Sequence, residues 1–166
     1  MKIVSNTSPL IFLTKIRRLD FLRGHDLIIP EPVFEEISEW EKTDSGNHLI
    51  LTKWIVKNKI PLKKSATLEG LPPSLGRGER AAISLAIKEG IRVILIDEKK
   101  ARIIAKSLGL VPTGTFAVIR QQALDKKITK TECKNLVFEL IKKGYRIKEE
   151  ILAEFLQQLE MPEDKK

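Results

Sequence analysis

Four aliphatic residues in unbroken succession, Val93-Ile94-Leu95-Ile96, run directly into a pair of acids, Asp97-Glu98. A strand with water on one face alternates apolar and polar side chains, so a run without alternation has to be buried on both faces. That requires helices above and below a sheet, and such helices are the crossovers that join parallel strands. Lys2–Ser5 and Leu27–Ile29 read as two further short strands, the second stopped by Pro30, and Leu110–Val111 as a last one. Between them lie segments with apolar residues at helical spacing. Ile11–Leu22 is one, closed by Gly24. Another opens at Glu31-Pro32 and turns Val33, Phe34, Ile37 and Trp40 to one face. Glu79–Glu89, capped by Gly90, and Lys99–Leu108, closed by Gly109, follow. Asn6–Pro9 reads as a turn, and Thr43–Asn47 as a polar break. His48–Asn58 reads as helical, becoming strand-like at Trp54–Val56. Pro61–Gly78 is the longest irregular stretch. From Phe116 to about Leu159 the pattern is helical, broken near Asp125–Thr129 and Lys143–Tyr145. The expectation is one α/β domain over residues 1–160, with a central, mainly parallel sheet of four to five short strands, and a charged, frayed tail over 161–166.

Counting excludes several classes of function. Aromatic residues make up only 5%, so aliphatic side chains must fill most of the interior. The single cysteine, Cys133, excludes an internal disulfide and a cysteine-rich zinc site. The two histidines, His25 and His48, have no metal-binding spacing. Carboxylate oxygens must therefore do most of the work at any bound metal, which favours hard ions such as Mg2+ or Mn2+. No apolar run approaches the roughly 18–20 residues that span a bilayer. Asn6, Thr7, Ser8 and Pro9 interrupt the first residues too early for a signal peptide. A cytoplasmic protein with no membrane partner is expected. The formal charge is +8, and residues 61–115 carry ten basic against five acidic residues. That excess favours a polyanionic partner, RNA or DNA first.

In an open parallel sheet, ligands bind beyond the carboxyl ends of the strands. The first strand delivers Asn6, Thr7 and Ser8 there, the aliphatic strand Asp97 and Glu98, and the last strand Thr113 and Thr115. Helices could add Glu35 or Glu36 and Glu79. Such a cluster of acids on a basic protein suits phosphodiester hydrolysis. A divalent cation relieves the repulsion among the acids, neutralises phosphate charge and helps water lose a proton. Each position also has an ordinary structural use. Glu79 suits the dipole of the helix it opens, Asp97 could cap the next helix, and Glu35 and Glu36 could face solvent. Asn6, Thr113 and Thr115 suit turns and caps. Gly76-Arg77-Gly78-Glu79-Arg80-Ala81 matches a dinucleotide fingerprint, but Pro72-Pro73 occupies the place of the strand that the fingerprint requires.

Five segments in order resemble the PIN-domain family, in its compact prokaryotic, predicted nucleic-acid-binding branch. They are Asn-Thr-Ser-Pro-Leu-Ile at 6–11, Pro-Glu-Pro-Val-Phe-Glu-Glu-Ile at 30–37, Gly-Arg-Gly-Glu-Arg-Ala-Ala at 76–82, Ile-Asp-Glu-Lys-Lys-Ala-Arg at 96–102 and Thr-Gly-Thr at 113–115. The resemblance implies a three-layer α/β/α fold. It implies a Mg2+- or Mn2+-dependent endoribonuclease, many such members being toxins of the VapC type held by an antitoxin, and commonly homodimers. By resemblance the metal ligands are Asn6, Glu36, Glu79 and Asp97, and the catalytic acids Glu36, Glu79, Asp97 and Glu98. The register between the last two is ambiguous by one residue. Thr7, Ser8 and Thr115 resemble the hydroxyl residues that line the site, and Arg77, Arg80, Lys99 and Arg102 are the expected nucleic-acid contacts. Asn6 departs from the aspartate of active members. The resemblance therefore leaves two functions open, a nuclease or a catalytically weak binding module.

Overall fold

The computed structural model describes residues 1–44, 46–47 and 49–161. His48 and most of the expected tail at 161–166 lie outside the described residues.

Five strands form one parallel sheet: β1 (Lys2–Ser5), β2 (Asp26–Pro30), β3 (Leu62–Lys63), β4 (Val93–Leu95) and β5 (Val111–Thr113). Their order across the sheet is β3-β2-β1-β4-β5. The chain builds outward from β1 in one direction, then returns to add β4 on the other side. The point where the order reverses therefore lies between β1 and β4, and a crevice opens beyond their carboxyl ends. In register, Val4 pairs with Ile94 and Ser5 with Leu95, and the Asn6 amide donates to the Leu95 carbonyl at 2.9 Å.

Alternate residues along each central strand enter different cores. Ile3, Leu27, Ile29 and Leu95 pack into one, with the helices α1 (Thr7–Lys15), α2 (Glu31–Thr43), α3 (Ile50–Lys57), α6 (Thr115–Leu124), α7 (Lys130–Lys142) and α8 (Glu149–Glu160). Val4, Ile28, Ile94 and Ile96 pack into the other, with α4 (Arg77–Lys88) and α5 (Lys99–Ser107). This is the three-layer α/β/α arrangement expected, and the aliphatic run of β4 is buried on both faces. Gly90 and Gly109, at φ 64° and 82°, end the two helices that return to β4 and β5, in the left-handed conformation glycine adopts freely.

Four local expectations need correction. Asn6–Pro9 is not a free turn. Asn6 is the N-cap of α1, and Pro9 sits in its first turn, where amides have no intrahelical partner to lose. The helix expected over Ile11–Leu22 ends early, because Arg17 takes a positive φ of 57° and a 3-10 turn at Leu19–Leu22 follows. Trp54–Val56 is helical. The buried Glu41 carboxylate accepts from the Thr52 amide at 3.0 Å, in the first turn of α3, and anchors that helix to α2. Pro61–Gly78 includes the two-residue edge strand β3. Pro112 sits in β5, at the other edge, where a missing ladder donor is tolerated. No strand precedes Gly76 directly, so the dinucleotide fingerprint lacks its scaffold.

Ile94→Ala empties a site buried from both sides and is expected to cost about 2–5 kcal/mol in urea unfolding. Val111→Ala, on the edge strand at 45% exposure, should stay within about 0.5 kcal/mol. Equal costs would contradict the two-sided burial of β4.

Candidate metal centre

The rim between β1 and β4 brings Asn6, Glu36, Glu79 and Asp97 from four separate segments of the chain toward one another. Because α1 starts directly after β1, Thr7 and Ser8 stand in its first turn, above the carboxyl end of the sheet. Thr7 donates its hydroxyl to Glu36 Oε2, reaching across from α1 to α2. Glu36 Oε1 accepts from the Gly78 amide at 2.8 Å, in the first turn of α4. Gly78 has no alternative residue here. A Cβ on it would collide with Glu36 Oε2 and lie 2.9 Å from Asn6 Oδ1. Those two oxygens therefore share the space beside Gly78.

Glu79 Oε2 accepts from the Gly76 amide at 2.8 Å, the glutamate half of a capping box at the start of α4. Its carboxyl is held above the usual carboxylate range. Burial is the main cause, and the negative charges of Glu98 and Glu36 add to it against the Gly76 amide. Glu98 itself is exposed, at the N-cap of α5.

Asp97 is partly buried and is joined to the first turn of α1 through Ser8. It accepts four hydrogen bonds, from the Thr115 amide at 2.7 Å, the Thr115 hydroxyl at 2.8 Å, the Ser8 hydroxyl at 3.1 Å and the Tyr145 hydroxyl at 3.2 Å. Burial still prevails over these donors and raises its pKa. It does not cap the helix that follows it. It sits at the first turn of α6 instead, through Thr115.

A cleft of about 470 Å³ joins Asn6, Thr7, Ser8, Glu36, Gly78 and Glu79. Asp97 opens into an adjoining groove. Among the described residues no three of His, Cys, Asp or Glu are grouped to hold an ion by themselves. The donor set nonetheless fits a hard divalent cation. Asn6 Oδ1 is buried and has no hydrogen-bond partner, although an N-cap asparagine ordinarily uses that oxygen on its own helix. A cation would meet that oxygen beside Glu36. Magnesium commonly takes only one or two carboxylates, its other positions going to water and phosphate.

A PIN-domain family model matches residues 2–161. The chain belongs to the PIN-domain family. PIN domains are a nuclease-type family and are generally dependent on a divalent metal. Among solved structures, this PIN domain is similar to a PilT N-terminus domain protein from the hyperthermophilic archaeon Sulfolobus solfataricus. The TM-score is 0.56 at 15% identity, over 73% of this chain and 92% of that one. At that identity the likeness concerns the fold alone. No curated protein matches the chain. No helix among the described residues is long and apolar enough to cross a membrane.

Of the remaining residues singled out in the sequence, Arg77 is exposed and ion-paired with Glu35, which removes Glu35 from the cleft. Arg80 is partly exposed on α4. Lys99 and Arg102 line the groove beside Asp97. Thr113 serves the sheet, its carbonyl accepting from the Ile96 amide at 2.9 Å. Sequence reading missed the Gly78 amide, although its glycine motif was visible. It also missed Tyr145, which lies 48 residues from Asp97 and carries no local signal.

Gly78→Ala should displace Glu36 and cost about 1–3 kcal/mol in urea unfolding. Gly76→Ala, whose Cβ would find its nearest atom at 3.5 Å, should cost less than about 1 kcal/mol. Equal costs would mean that Gly78 is not packed as described. Asp97 makes a second prediction. Its folded-state pKa lies above the unfolded value of about 3.9, so ionised Asp97 costs stability at neutral pH, and that cost fades as the pH falls toward the unfolded value. Asp97→Asn keeps an oxygen for Thr115 N–H and Tyr145, and turns an NH2 toward the Ser8 and Thr115 hydroxyl oxygens. It should raise the melting temperature at pH 7.5 in chelator, with a gain that shrinks toward about pH 4. A gain that grows on acidification would contradict this.

Proposed function

We propose that this PIN domain is an endoribonuclease that hydrolyses RNA phosphodiesters with Mg2+ or Mn2+ as its cation. The observation that carries the reading is the buried Asn6 Oδ1, left without a partner beside Glu36 in an acid-lined cleft at the sheet's reversal point. The excess of basic residues fits an RNA substrate.

Asn6, Glu36 and Glu79 would hold the cation. When bound, it supplies charge neutralisation at the phosphate and makes water more acidic. The chain's own residues do the rest. Thr7 and the Gly78 amide fix the Glu36 carboxylate in one orientation. The Gly76 amide fixes one oxygen of Glu79 and leaves the other for the cleft. Ser8 couples Asp97 to the cleft.

The same reading makes the protein a cytoplasmic toxin restrained by an antitoxin, and a homodimer. Leu136, Val137, Leu140 and Phe155 are buried within the chain, so a dimer would use what α7 leaves uncovered, such as Phe138 at 37% exposure. A second reading, a binding module without catalysis, is favoured by Asn6 in the aspartate's place and by the full hydrogen-bonding of Asp97.

The test is cleavage of single-stranded and structured RNA by the purified protein with either ion. Cleavage should stop in chelator and fall at least about a hundredfold in Glu36→Gln and Glu79→Gln, as removing a group essential to charge stabilisation commonly does. Asn6→Asp should raise the rate about tenfold or more, since a unit charge at ~4 Å near a protein surface contributes on the order of a few kcal/mol. RNA left intact with either ion, while still bound in chelator, would establish the second reading instead.

A further inference from the structure

The groove into which Asp97 opens is unlike the acid cleft beside it. Five cations line it: Lys99, Arg102 and Lys106 on α5, Arg146 between α7 and α8, and Lys148 at the N-cap of α8. Lys99, Arg102 and Lys106 fall at helical spacing on one face of α5. None of the five forms an ion pair within the described residues. Asp97 is the one carboxylate that lines the groove with them, one acid against five cations. Glu98 opens α5 and Glu149 and Glu150 open α8, but none of the three lines the groove. Five like charges gathered around one depression with a single carboxylate among them repel, and a polyanion lying in it removes the repulsion.

Between the cations the lining is apolar. Phe116 and Ile147 face the groove, and Ile103 and Ile151 stay 59% and 45% exposed at its border. Duplex RNA would leave such surface uncovered, because it presents phosphates and 2′-hydroxyls with its bases stacked inside. A single strand offers phosphates to the cations and unpaired base faces to the apolar surface. The volume of about 500 Å³ suits one or two nucleotides.

The groove also meets the acid cleft. Ser8 lines the cleft, and its hydroxyl donates to Asp97, which lines the groove. Around Gly114 three groove residues converge on the Asp97 side of that junction. A Cβ there would lie 2.9 Å from Arg102 Nη1, 3.0 Å from Asp97 Oδ1 and 3.3 Å from the Tyr145 hydroxyl. A strand with one phosphate at the acids would carry its neighbouring nucleotides across Ser8 and Asp97 into the basic groove.

We propose that the groove between α5 and the start of α8 is the binding site for the single-stranded RNA that flanks the phosphate held at the acid cleft, with Lys106, Arg146 and Lys148 as phosphate contacts. This rests on the ribonuclease reading for its direction, and adds to it where the substrate lies and that its bases are unpaired.

The experiment measures binding of a fluorescent twelve-nucleotide oligouridylate to the full chain in chelator, where cleavage is suppressed. The Lys106→Glu/Lys148→Glu double variant should bind at least about tenfold more weakly. Its log–log salt dependence should be shallower by about 1.4, as expected for two lost contacts on a single strand. Lys57→Glu/Lys134→Glu changes charge by the same amount on helices that do not line the groove, and should stay within about twofold of the parent. Thermal melting checks that both variants fold. Equal weakening in the two double variants overturns the proposal, because net charge alone would then explain it. Equally strong competition by duplex RNA of matched length also overturns it. So does displacement by an acidic peptide of equal charge at the same concentration, which would make the groove a protein-docking site. Binding and cleavage fail separately. Groove-dependent binding without cleavage in Mg2+ or Mn2+ removes the nuclease reading and leaves the groove. Cleavage with affinities equal in parent and groove variant removes the groove and leaves the nuclease.

Discussion

A carboxylate seated at the amino end of another segment's helix is the interaction on which this site depends. Glu36, from α2, accepts from the Gly78 amide in the first turn of α4. Asp97, from the end of β4, accepts from the Thr115 amide in the first turn of α6. First-turn amides have no partner within their own helix and carry the positive end of its dipole. Each acid thus satisfies an orphan donor and gains a favourable field. Elements from both halves of the chain are joined at one rim by these two contacts, with hydroxyls from the first turn of α1 completing each carboxylate.

These contacts account for how acids collect at one rim although, among the described residues, no three are caged around one point. Mutual repulsion is limited because Glu36, Glu79 and Asp97 each have their own donors. What remains unrelieved is informative. Glu79 is still raised by burial and by the charges of Glu98 and Glu36, and Asn6 Oδ1 has no donor at all. An amide rather than a carboxylate at position 6 lowers the electrostatic cost of gathering these groups, and lowers their pull on a cation by the same physics.

Much of the fold was legible because the residues that specify it are local. The unbroken Val93–Ile96 run dictates two-sided burial, and glycines at 90 and 109 mark helix ends through a conformation few other residues adopt. Where local signals failed, a tertiary contact or an unmarked backbone state had won. Arg17 takes a positive φ with no glycine to announce it, and splits the first helix. Trp54–Val56 has β-favouring residues, yet is helical where α3 packs Leu51 and Ile55 into the core and meets Glu41 at its start. β3 is two residues long and exists because β2 offers it an edge.

The sequence by itself determined the layer architecture, the family and the small set of acids and hydroxyls from which a site had to be drawn, because hydrophobic period and motif order are properties of the chain alone. Only the tertiary structure decided how those acids divide. It set Glu36, Glu79 and Asn6 in one cleft, turned Asp97 rather than Glu98 inward, and recruited Tyr145 from a distant loop. That division follows from strand order and from which helix begins beside which carboxylate. Both are distances in space between residues far apart in sequence, and no local pattern encodes them.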